Sequence, residues 1–196
     1  RPAATIAWER TTDIEKALNA VLLDTDLGLR DFTLGRMLRE GIVPEFSVLA
    51  TWLQQDTDEQ RVSTILETLR THHMDQVQSI LIQTTLRSDL TESNRLIALS
   101  MLIKGMPDDA ASLVELATKL DDGPVLASLL HEFGQRPGLA VDELLLKKID
   151  SDKPIVRLEA IRTLARRKNK SALDHIERLL LDTDANVILA AVKAAG

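Results

Sequence analysis

Apolar residues recur along the chain in helical stripes separated by short polar turns. The segment from Val156 to Ala165 superposes on those from Val125 to Gly134 and from Val187 to Gly196. One apolar position near the end of each such segment, taken as a marker, falls at Leu38, Leu69, Leu102, Phe133, Leu164 and Ala195, in steps of 31, 33, 31, 31 and 31 residues. Four residues before each marker the chain carries Leu34, Ile65, Ala98, Leu129, Ala160 and Ala191, apolar throughout. The next position, from Gly35 to Val192, holds no polar side chain either. With the marker these sites lie at i, i+1 and i+4, one face of a helix. The following column (Arg36, Glu67, Ser100, His131, Arg162 and Lys193) is polar in every unit and reads as the outward face. A near-constant period of two short helices and two turns predicts a stack of helix pairs, each burying its flank on the next.

The second helix of each pair is preceded by an acidic turn: Asp24-Thr25-Asp26, Asp56-Thr57-Asp58, Asp150-Ser151-Asp152 and Asp182-Thr183-Asp184, with weaker echoes at Ser88-Asp89 and Asp121-Asp122. Carboxylates at these places cap free N–H groups and suit the positive end of the helix dipole, a better account than Ca²⁺ binding, which needs more oxygen ligands. The first helices are predicted over Asp13–Leu23, Pro44–Gln54, Asp75–Leu86, Asp108–Leu120, Val141–Ile149 and Ser171–Leu181. Thr12 or Asp13, Asp75, Asp108 and Ser171 are the expected caps, and Pro44 a first-turn proline. Pro124 and Pro154 open second helices, where the missing N–H costs nothing. The units run over 12–40, 41–72, 73–105, 106–135, 136–167 and 168–196, as a single array.

Composition agrees with an all-α chain. Tyrosine is absent, and two Trp and three Phe leave Leu, Ile, Val and Ala to fill the interior. Trp52, at an apolar position of a first helix, reads as core. A formal net charge of −6 argues against a general polyanion binder, since nucleic-acid affinity rests on neutralised phosphates. The absence of cysteine excludes a disulfide framework, a thiolate metal site and a Cys nucleophile within this stretch. No run of about 18 consecutive apolar residues offers a membrane span.

The segment from Asp150 to Ala165 (Asp-x-Asp-x-x-x-Val-Arg-x-x-Ala-x-x-x-Leu-Ala) resembles the HEAT-like repeat family, in particular the short bacterial units of the phycobilisome-lyase type. The likeness extends to the fourth and last units and fades in the first three, where Arg61-Val62 reverses the Val-Arg order. The resemblance implies a right-handed α-α superhelix, an armadillo-like solenoid of about six helix pairs. Its second helices would line a concave, protein-binding side. It implies no chemistry of its own, since such arrays serve unrelated proteins. The alternative it brings is an accessory domain or subunit of an enzyme, bilin-lyase-like or joined to a haem or dehydrogenase domain outside this segment.

A search for chemistry yields little. The four histidines are His72, His73, His131 and His175. His72-His73 falls in a turn without a third ligand, and His131 lies on the outward polar column. No phosphate loop, nucleophile elbow or His-Glu-x-x-His motif is present, so no catalytic, cofactor or metal residue is assigned. The expected function is a non-catalytic protein-binding or spacer scaffold that uses the outward row Arg36, Glu67, Ser100, His131 and Arg162. A basic turn at Arg166, Arg167, Lys168 and Lys170 adds to that row. That turn caps a helix C-terminus and suits an acidic partner, or the front half of a neighbouring chain, where residues 1–98 hold 10 basic and 15 acidic side chains. The last helix is apolar nearly all round; Ile188, Leu189 and Val192 cannot share one interface. This predicts a further repeat beyond it, in a longer multidomain protein, or self-association at that end.

Overall fold

The computed structural model describes residues 13–106, 110–136 and 138–195, apart from the side chains of Ala110, Lys170, Leu173 and Asp174. The readings of Thr12, Asp108 and Gly196 lie outside that range. The architecture is all-α: among the described residues there are helices and turns and no strand. The helices are α1 (Ile14–Leu22), α2 (Leu27–Glu40), α3 (Phe46–Gln55), α4 (Glu59–Leu69), α5 (Met74–Leu86), α6 (Glu92–Gly105), α7 (Ala110–Lys119), α8 (Pro124–Phe133), α9 (Asp142–Lys148), α10 (Pro154–Arg166), α11 (Leu173–Leu179) and α12 (Ala185–Ala195). A 3₁₀ turn at Lys170–Ala172 leads into α11. The chain divides into two compact units, residues 1–98 and 99–196, with the division inside α6.

In unit 1 the predicted pairs form as α1 with α2 and α3 with α4, and α3 also packs on α5. Asn19 from α1 accepts a hydrogen bond from the Glu45 N–H at 2.9 Å, which fixes the start of α3. In unit 2 the second helices α8, α10 and α12 pack in sequence, joined by the pairs α7–α8, α9–α10 and α11–α12. The position four residues before each marker is buried in all six repeats: Leu34, Ile65, Ala98, Leu129, Ala160 and Ala191 are at most 2% exposed. Alanine at 160 and 191 lets backbones approach closely. Thr163 of α10 takes advantage of that approach, donating from Oγ1 to the Leu130 carbonyl of α8 at 2.8 Å, fully buried.

Three of the acidic turns share one geometry. In each, the second carboxylate caps the helix: Asp26 accepts from the Leu29 N–H, Asp58 from Arg61, and Asp184 from Asn186 and Val187. The first carboxylate accepts from the N–H of the second, as at Asp24, Asp56 and Asp182, and so folds the turn. The turn at 150–152 departs from this. Lys153 intervenes before Pro154, so the N-cap falls on Lys153 with no side-chain cap, and the Ser151 hydroxyl accepts from the Lys153 N–H instead.

Asp13 caps α1 as expected. Asp75 does not cap α5; it lies in the first turn and His73 stands at the cap. Ser171 does not cap α11 either, because the chain makes the 3₁₀ turn first and Asn169 accepts from the Ser171 N–H. Pro44 lies ahead of Glu45, the N-cap of α3, and not in its first turn.

A recurrent device went unseen in the sequence. Three residues after the markers Leu69, Phe133 and Leu164 stand His72, Arg136 and Arg167, and each reaches back to carbonyls 28 to 34 residues earlier. His72 hydrogen-bonds the Pro44 carbonyl at 2.9 Å. Arg136 donates to the Ile103 and Met106 carbonyls. Arg167 donates to those of Phe133, Arg136 and Leu139, and to Asp142. These carbonyls lie at helix ends and in the turns after them, where no intrahelical N–H is available.

Candidate protein-binding faces

The outward column of the second helices is best developed in unit 2. His131 on α8 stands opposite Glu159 on α10, with Nδ1 3.2 Å from a carboxylate oxygen. One turn further along α10, Arg162 donates to the other oxygen of Glu159 at 2.8 Å. Arg166, four residues on and therefore on the same face, brings Nη1 to 3.2 Å from His131 Nδ1. In the Nε2–H tautomer that ring nitrogen accepts from Arg166; in the Nδ1–H tautomer it donates to Glu159 instead. Arg166 is held over Gly134: a Cβ there would lie 3.0 Å from its Nη1. Among the described residues no carboxylate lies within salt-bridge distance of Arg166, whereas Arg162 shares Glu159.

The basic turn splits in two. Arg166 and Arg167 lie about 100° apart on the helix, and their fates are opposite. The Arg167 side chain is only 6% exposed and its guanidinium is spent on three carbonyls and Asp142, so it is withdrawn from the surface on which it was expected. Lys168 is exposed and closes α10 in the left-handed region at φ 54°. The Asn169 N–H bonds the Leu164 carbonyl there, and the Lys168 N–H that of Ala165, a Schellman arrangement. Lys170 belongs to the following 3₁₀ turn; its side chain lies outside the described residues. Glu159, which organises the cluster, escaped the sequence reading because its partners come from the neighbouring repeat and from its own following turn.

In unit 1 the same column places Arg36 on α2, largely covered and paired with Glu40 at 2.8 Å, and Glu67 on α4, exposed and paired with Arg70 at 2.8 Å.

Unit 1 also holds a feature that the sequence did not reveal, an open groove of about 330 Å³. It is lined by Leu27, Arg30, Asp31 and Leu34 of α2, Trp52 and Gln55 of α3, Asp56 and Thr57 of the following turn, and Arg61 and Ile65 of α4. Trp52 is half-buried here and not a core residue. Its ring carries the Arg30 guanidinium 4.8 Å from the centroid, and Arg30 also donates to the Asp24 carbonyl. Arg61 grips Asp56 through Nε at 2.6 Å and Nη2 at 3.0 Å, and these bonds hold the Asp56 carboxyl below its ordinary range. Asp31 moves the other way. Burial raises it against the pull of Arg61, and the charges of Asp56 and Asp58 add to the rise.

The inverted order at Arg61-Val62 has a structural consequence. Val62 and Val156 both reach the core. Arg61 therefore pairs with Asp56 in its own turn, whereas Arg157 reaches forward to Asp182 in the next. Arg157 also donates to the Ser151 carbonyl at 2.8 Å. The Arg157–Asp182 pair is nearly buried, and its bonds lower Asp182 despite desolvation. In the preceding turn, Asp122 accepts from Lys148 and Ser151; burial acts to raise it, and these bonds outweigh that and leave it lowered.

The periodic burial continues through α9 to α12, with Ala160 and Ala191 at equivalent buried positions. Residues 143–196 match the family model of HEAT repeats. The match supports a HEAT-like repeat family for this chain, and the all-helical architecture is consistent with a HEAT-like helical array. No curated protein matches the chain. At the end of the matched HEAT stretch, α12 buries Val187, Ala190 and Ala191 and leaves Leu189 and Val192 about half exposed, at 52% and 53%. Among the described residues, no group of three or more His, Cys, Asp or Glu side chains is arranged to hold a metal ion. No helix among them is long and apolar enough to cross a membrane.

Proposed function

We propose that the chain is a non-catalytic protein-binding array whose second-helix face in unit 2 docks an acidic segment of a partner. HEAT repeats generally mediate protein–protein interaction, and HEAT repeat proteins are typically non-enzymatic scaffolds. The observation that carries the reading is Arg166. It is a cation fixed in position by His131 and the bare backbone of Gly134, with no carboxylate within salt-bridge distance among the described residues, beside Arg162 and ahead of the exposed Lys168. Holding the guanidinium in place before binding lowers the ordering cost of a bidentate carboxylate contact.

The reading is tested by calorimetry with a glutamate-rich peptide and its glutamine counterpart. The acidic peptide should bind, with affinity falling as salt rises. The double change Arg162→Glu and Arg166→Glu should weaken it at least tenfold. Equal binding of both peptides, or no loss in the double variant, would refute the assignment.

A further inference from the structure

Three residues before four successive markers the chain buries an aliphatic side chain. Leu66, Leu99, Leu130 and Ile161 are at most 1% exposed, yet Val192 in the same column is 53% exposed. Ile161 lies on α10, which packs on α12; α12 itself packs on α10 and α11. Its opposite side carries Ala185, Leu189 and Val192, all exposed, at i, i+4 and i+7 of one stripe. No charge interrupts the stripe, but one stands at each end. Asp184 precedes the first turn and gives one carboxylate oxygen to the N–H groups of Asn186 and Val187. Lys193 lies in the last turn. The ion pairs of this repeat among the described residues, Arg157 with Asp182 and Arg178 with Asp150, involve neither of them.

A face with an apolar middle and opposite charges at its two ends matches its own inverted image. We propose that α12 is a dimerisation helix, packing antiparallel on α12 of a second copy of the chain about a twofold axis at Leu189. At a rise of about 1.5 Å per residue, Lys193 lies about 6 Å from Leu189 toward the C-terminus and Asp184 about 7.5 Å toward the N-terminus. Inverting one copy on the other therefore sets each Lys193 ammonium beside the Asp184 carboxylate of the second copy. Each Val192 then lies over the Ala185 of the second copy, whose small side chain leaves room for it. The two Leu189 side chains meet at the axis. A parallel copy would set like charge against like, so charge complementarity selects the antiparallel arrangement. The proposal does not rest on the acidic-peptide reading, which uses Arg162 and Arg166 of α10, and either can fail without the other.

Sedimentation equilibrium of the whole chain tests this. The mass should rise with concentration from 21.7 kDa to twice that value and stop there. A contact made by one helix from each copy is small, so the Kd should be about 10–100 µM. Leu189→Glu, at a position 52% exposed, should weaken dimerisation at least tenfold without lowering the melting temperature, which separates lost contact from lost fold. Lys193→Glu, and Ala185→Lys, which keeps the Asp184 cap, should each dimerise at least fivefold more weakly alone, because each brings like charges together. An equimolar mixture of those two variants should associate as tightly as the parent, since the introduced lysine of one meets the introduced glutamate of the other. A chain that stays monomeric at about ten times the expected Kd would overturn the proposal. So would association that continues past two copies, unchanged dimerisation in Leu189→Glu, or a mixture no tighter than its separate components.

Discussion

Replacing Arg167 by methionine removes one guanidinium and keeps most of the side-chain volume. The wild-type group donates to Arg136 O at 2.9 Å and Phe133 O at 3.3 Å, to Leu139 O, and to Asp142 at 2.7 Å. Hydrogen bonds from a charged donor contribute about 1.5–3 kcal/mol each, so the three carbonyls alone would suggest roughly 4–9 kcal/mol. That figure is too large here. Each of these carbonyls keeps one backbone partner, Arg136 O from the Leu139 N–H, Phe133 O from that of Arg136 and Leu139 O from that of Val141, and Asp142 can be hydrated once released. Discounting for the retained bonds leaves a loss of about 3 kcal/mol. For a chain of this size that corresponds to a melting shift of roughly 6–12 °C.

The assay is urea denaturation followed by circular dichroism, with thermal melting beside it. Arg166→Met, one residue away but on the surface, is the control and should change stability by less than about 0.5 kcal/mol. Arg167→Lys should fall between wild type and Arg167→Met, since one ammonium cannot span three carbonyls. If Arg167→Met lies within about 0.5 kcal/mol of wild type, the back-reaching cations do not hold the repeats together and the packing account is wrong.

Further outcomes follow from other sites. Asp56 and Asp182 are lowered by their arginines, so their stabilisation is complete above the ordinary value of 3.8 and is lost as pH falls through their lower folded values. Asp31, raised by burial, acts in the opposite sense and relieves the fold as it protonates. An acid titration of stability should therefore show unit 2 losing stability in strong acid. Asp182→Asn should remove much of that slope and cost about 2–4 kcal/mol at neutral pH by stranding Arg157. Lys168→Gly should stabilise by about 0.5–1 kcal/mol in the same denaturation assay, because glycine adopts the φ of 54° without Cβ strain. Gly134→Ala should leave stability nearly unchanged but displace Arg166, and so weaken acidic-peptide binding in calorimetry severalfold.

Most of the fold was legible because a stack of helix pairs repeats its burial demand. The column from Leu34 to Ala191 needed only the period, and all six positions are buried. Helix starts were legible where a short side chain caps its own helix, as at Asp13 and Asp58. They were misread at Asp75 and Ser171, where the start shifts by a residue or two and local alternatives compete. The candidate sites were less legible, since they are made between repeats. Nothing local separates Arg166 from Arg167; only the helix phase sends one to the surface and the other onto carbonyls about thirty residues earlier. Trp52 looked like core because an indole at an apolar position usually is; the groove beside it depends on Arg30 lying across the ring.

The back-reaching side chains also give the chain a direction. Arg167 completes the end of α8 at Phe133, 34 residues upstream, and Arg136 does the same for Ile103, 33 residues upstream. A chain emerging from the ribosome cannot finish either helix end until the next repeat has been synthesised. At ordinary rates of 5–20 residues per second, each waits roughly 2–7 s for its final donor. The newest repeat on a nascent chain is therefore always the loosest one.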